Sequence, residues 1–186
     1  MSNRCSMMWA LGVAFLLTLW LAQAAVGKPA KKLCISEMRS ETLLAHLLFA
    51  LLAAGAACFG LAAHRMRHEM SANLGASIAV CLVGAWVTPT ASAVHNVLAN
   101  VPLVLLLLYS PILLAYGGHP LLAFGLAVVL VWDGLCLVWS GVSLLPPDHG
   151  YALFQKANAV LFYGLLGFFC YRVLPSTPPL FDSGKP

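Results

Sequence analysis

Six histidines and one carboxylate set in an apolar run are the residues of this chain whose types and spacing could do chemistry. His46, His95 and His149 fall near the ends of hydrophobic stretches, with Asp148 beside His149. Three neutral imidazoles can hold zinc, copper or haem iron when their other ring nitrogens are oriented by polar neighbours. Asn96, Asn100 and Asp148 are placed to do that orienting, helped by Thr90 and Ser92. His64 and His68 are four apart, the spacing at which two imidazoles on one helix face can share a metal, provided the helix runs that far. No HExxH or Cys–His motif selects a particular metal. The competing reading is unrelated interface residues, because an amphipathic ring is at home in the wet headgroup region.

Asp133 stands near the middle of the stretch Leu121 to Leu145. A carboxylate at mid-bilayer depth costs a few kcal/mol on insertion scales, so it faces a bundle interior or is protonated. One reading is a proton relay or cation site. The other is a protonated acid bonded across helices to Ser77, Ser110 or Asn158.

The elements that must position these groups follow from composition. Of 186 residues, 61% are hydrophobic and 9% charged, and the mean hydropathy is +0.90. A soluble domain is roughly a quarter charged, so water is the wrong solvent for this chain. In a bilayer every backbone polar group must be satisfied internally, and long continuous apolar runs then mean helices rather than a barrel. The expected fold is an all-α transmembrane bundle of six hydrophobic segments. Net charge +4 comes without a basic stripe, which excludes nucleic acid as a partner. Six scattered cysteines with no CxxC pair argue against a disulfide framework or a thiol-redox motif.

The first segment, Met7 to Val26, has two readings. Arg4, an apolar stretch and the small-x-small site Ala22-Gln23-Ala24 match a cleaved signal peptide, which would leave five helices. Read through to Val26, it is about twenty residues, just enough to span. The position of the cleavage site tips the expectation to the signal. Residues 27–41 form a polar loop or short interfacial helix, with Ser40 expected to cap the helix after it. The second segment is Thr42 to Ala63, with Ala56 and Gly60 forming a small-residue face. HRMRHEMS then connects to a third segment at about Ala72 to Thr88.

One polar interruption, Val87 to Pro102, decides the count. A single helix over residues 74–116 would be about 65 Å long, roughly twice the bilayer core. Pro89 and the turn formers after it make the chain reverse there. The fourth segment is Asn96 to Tyr116, with Pro102 and Pro111 inside it, followed by the tight turn GGHP. The fifth is Leu121 to Leu145 and the sixth Phe154 to Leu174, joined by the turn PPDHG. Residues 42–174 thus make the bundle, and residues 175–186 a Pro-rich disordered tail.

With six segments, residues 27–41, 89–95 and 146–153 share one membrane face, B, and the termini, 64–71 and 117–120 share the other, A. Lys and Arg divide five against five, so the positive-inside rule is silent. A signal-like N-terminus stays inside, which puts face A and the C-terminus in the cytoplasm. The expected location is the cell (inner or plasma) membrane, reached by secretory insertion. His46, His95 and His149 then gather at face B, and His64, His68 and His119 at face A.

Three classes of function fit. Small size, short loops and no catalytic constellation favour a non-catalytic membrane component, a subunit or assembly factor that binds another membrane protein or its own copy. The alternatives are a small transporter or channel using Asp133 and a metal- or haem-binding protein, even a metalloenzyme, using His46, His95 and His149.

Overall fold

The computed structural model describes residues 2–28, 35, 37–90, 92–128 and 151–176. Helices make up almost all of these, and no strand occurs among them. In chain order they are α1 (Ser2–Val26), a 3-10 turn Glu37–Ser40, α2 (Leu44–Arg65), α3 (Glu69–Val87), α4 (Ala93–Tyr116), α5 (residues 120–128) and α6 (Tyr151–Phe168). A π turn, Phe169–Val173, continues α6. Among the described residues, four helices are long and apolar enough to cross a membrane: Ser6–Val26, Leu44–Arg65, Glu69–Val87 and Val97–Tyr116. That is fewer than the six segments expected. The fifth is described only as far as residue 128, and α6 carries Gln155, Lys156 and Asn158 in its first turns.

Packing centres on α2, which touches α1, α3, α6 and the 3-10 turn. Its contact with α3 is made backbone to backbone. A Cβ on Gly75 would lie 2.6 Å from the Cα of Gly60 and 2.8 Å from the carbonyl oxygen of Ala56. The small-residue face expected at Ala56 and Gly60 is therefore the seam between two helices of this chain. A second seam joins three helices. The Tyr163 ring of α6 sits against Gly12 of α1 and Gly55 of α2, and a Cβ on Gly55 would come 2.7 Å from it. Because Gly55 lacks that atom, the Tyr163 hydroxyl reaches past it and donates to the Leu51 carbonyl. Phe15 of α1, fully buried, packs on the same ring at a centroid distance of 5.2 Å.

The reversals fall close to where sequence chemistry put them. Thr88, before Pro89, is extended at φ −84° and ψ 148°, and α3 stops there. Ser92 caps α4 by accepting from the His95 N–H at 3.0 Å. At GGHP the chain turns through Gly118 at φ +80°, a conformation that suits glycine. One expected cap is absent. Ser40 donates its hydroxyl to the Glu37 carbonyl at 2.8 Å, because the turn Glu41–Leu43 intervenes before α2 begins. Thr42 Oγ1 instead accepts from the Leu44 N–H at 3.3 Å.

Candidate functional site

The end of the bundle that carries His46 and His95 is built around an unfinished helix. The last carbonyls of α3 have no partner within the helix and must find one elsewhere. Thr88 Oγ1 donates to the Gly84 carbonyl at 2.9 Å. Arg39, from the 3-10 turn, brings a planar fork of donors: Nη1 to the Ala85 carbonyl at 3.2 Å and to that of Trp86, and Nη2 to that of Thr88 at 2.8 Å. A cation at a helix C-terminus is also favoured by the macrodipole. The guanidinium lies 5.6 Å from the Phe49 ring centroid, near enough for a cation–π contact.

Both histidines belong to this cap. His95 is 2% exposed, and its Nδ1 lies 2.8 Å from the Ala85 carbonyl oxygen. A carbonyl only accepts, so Nδ1 carries the proton and donates. His46 shows the opposite tautomer. The Trp86 indole N–H can only donate, and it does so to His46 Nδ1 at 2.9 Å. Neutral His46 thus keeps its proton on Nε2, and its lone pair is already engaged. The Phe49 ring stands edge-on to His95 at 6.4 Å.

Around this cap the same end of the molecule holds a polar girdle. Lys156 of α6, buried, donates to Gln23 Oε1 of α1 at 2.6 Å. Lys28 pairs with Glu41 at 2.6 Å, and Gln155 Oε1 accepts from the Ile35 N–H at 2.8 Å. These contacts bring the C-terminal ends of α1 and α3 together with the N-terminal ends of α2, α4 and α6, the grouping expected for face B.

Directly beneath the girdle lies a cavity of about 90 Å³. Phe49, Leu52, Leu82, Pro102 and Phe162 form much of its wall, with the amides of Gln155 and Asn158 as its polar groups. Asn158 Nδ2 is sealed from solvent without a hydrogen-bond partner, as is Ser110 Oγ.

The opposite end groups the other histidines without joining them. The expected His64–His68 helix pair does not form. α2 ends at Arg65 and Arg67 takes φ +61°, so the chain reverses between the two rings. His68 is buried with Nε2 3.0 Å from the Leu174 carbonyl oxygen. His64 is exposed and lies 3.3 Å from Glu69. His119 stands edge-on to Phe168 at 5.8 Å.

Among the described residues, no group of three or more His, Cys, Asp or Glu stands where it could hold a metal ion. His149, Asp148 and Asp133 lie outside the described residues, as do the side chains of Asn96 and Asn100. Of Asp133's suggested partners, Ser110 is fully buried and Ser77 is exposed. Sequence reading gave Arg39 and the cavity no role; an arginine in a loop just before a helix was the one available signal. No protein-family model, no curated protein sequence and no solved structure matches the chain.

Proposed function

We propose that this chain is a multi-pass integral membrane protein of six helices that works as a non-catalytic component, through contact with another membrane protein or a second copy of itself. The observation that carries the reading is what the histidines do. Every described histidine is engaged inside the chain: His46 with Trp86, His95 with Ala85, His68 with Leu174, His64 with Glu69 and His119 with Phe168. Side chains bound this way hold helix ends and turns in place, and the protein then acts through its surface. α1 and α4 present large apolar side chains outward, Trp20 at 69% and Leu108 at 66% exposure, as a bilayer requires.

The orientation proposed is the polar girdle outside and the C-terminus in the cytoplasm. In a cysteine-free background, Leu43→Cys should react with an impermeant maleimide on intact cells, and Leu121→Cys only after permeabilisation. The function itself is tested by native electrophoresis and mass spectrometry from a mild detergent. A stoichiometric complex with a membrane protein, or a homo-oligomer, is expected. A folded, clean monomer at every protein concentration would refute it.

A further inference from the structure

The cavity beneath the girdle has the features of a lipid seat, given the membrane reading above. Its walls are apolar, yet one donor, Asn158 Nδ2, is shut away from water with nothing to bond. Such an orphan is costly and rare in folded proteins, and it calls for a partner. Water is a poor one. The volume of about 90 Å³ is several times the ~10–15 Å³ that one water needs, and a buried water wants two to four polar partners. A largely hydrocarbon wall offers too few.

Depth narrows the ligand. Asn158 is the last polar residue of α6 before its continuous apolar run, and it lies about 3 Å along the axis below Lys156. Lys156, Gln155 and Gln23 mark the polar girdle; Phe162, Leu52 and Leu82 lie on the hydrocarbon side of it. The cavity therefore straddles the step from interface to hydrocarbon. At that level a bilayer lipid carries its ester carbonyls, acceptors with no donor of their own, each followed at once by methylenes.

The geometry points to a seat for one acyl chain of a glycerolipid, its ester carbonyl accepting a hydrogen bond from Asn158 Nδ2 and its first methylenes filling the cavity. Phe49 forms one wall of that seat and also lies against Arg39 and His95. An occupied cavity would thus support the ring on which the helix cap rests.

Matched lipids test this. The full chain is placed in nanodiscs of dioleoylphosphatidylcholine mixed equally with its ether-linked counterpart, which has the same chains and no carbonyl. Lipid retained on the protein is then counted by native mass spectrometry. The wild type should retain the ester lipid roughly 3- to 10-fold over the ether lipid, the ratio expected for one hydrogen bond. Asn158→Leu should retain both equally and Ala159→Leu, which fills the cavity, neither. If Asn158→Leu does not fold, Ala159→Leu alone decides. Equal retention of the two lipids by the wild type, or an ester preference that survives in either variant, overturns the seat. A chain that does not enter the discs at all overturns the membrane reading instead.

Discussion

The Trp86 indole N–H donates to His46 Nδ1 across 2.9 Å, tying the last turn of α3 to the first turn of α2. Removing the donor with Trp86→Phe keeps an aromatic ring and should cost about 1 kcal/mol, the usual net value of one hydrogen bond. Reversible unfolding in mixed detergent micelles would measure it. The same bond engages the lone pair that a metal would need. Purified protein should therefore carry no haem ligated through His46 Nδ1 and show no Soret band. A Soret band that disappears in His46→Ala would restore the haem reading.

Arg39 covers three carbonyls at the end of α3 with two nitrogens. Arg39→Ala takes the donor from the Trp86 and Thr88 carbonyls, while Ala85 keeps His95, and a loss of about 1–3 kcal/mol is expected. Arg39→Lys should recover less than half of it, because an ammonium is a point charge and cannot reproduce the planar fork. If the lysine variant is as stable as the wild type, the charge at the helix terminus matters and the fork geometry does not.

Gly60 and Gly75 bring α2 and α3 together with no side chain between them. Gly75→Ala places a Cβ 2.6 Å from backbone atoms that cannot rotate away, so the helices must part. A cost of about 1–3 kcal/mol is expected, larger for Gly75→Val. Gly164→Ala is the control. Nothing lies within 4 Å of its Cβ position, and an exposed helical glycine gains up to about 1 kcal/mol on becoming alanine. Equal effects at the two sites would mean the α2–α3 seam yields without cost.

The sequence carried those features whose cause is local. Pro89 and Ser92 end one helix and start the next by their own backbone and side-chain chemistry, and Gly60 spaced four from Ala56 marks a close-packing face. Arg39 and the Lys156–Gln23 pair were illegible because their partners are 46 to 49 and 133 residues away. Nothing in a polar loop tells which helix end it will cover. The His64–His68 spacing misled for a different reason. It assumed a continuous helix, and the left-handed residue Arg67 broke it. The cavity could not be read at all, since four helices and a loop must meet before its walls exist.

A signal peptidase could remove α1 at Ala22-Gln23-Ala24. The helix is packed as a member of the bundle. Phe15 and Ala22 are fully buried, Gly12 lies under the Tyr163 ring, and Gln23, inside the cleavage motif, accepts from buried Lys156. Cutting after Ala24 would strip the cover from Tyr163 and separate Phe15 from it, a loss of close packing that lipid chains replace poorly. We therefore expect protein isolated from membranes to retain its N-terminal segment, shown by intact mass or by a peptide spanning Gln23 to Lys28. Gln23→Leu should lower stability by removing one hydrogen bond to Lys156 while leaving the mass otherwise unchanged. Mature protein starting at Ala25, still folded and membrane-embedded, would show that the contacts of α1 are dispensable and that the bundle has five helices.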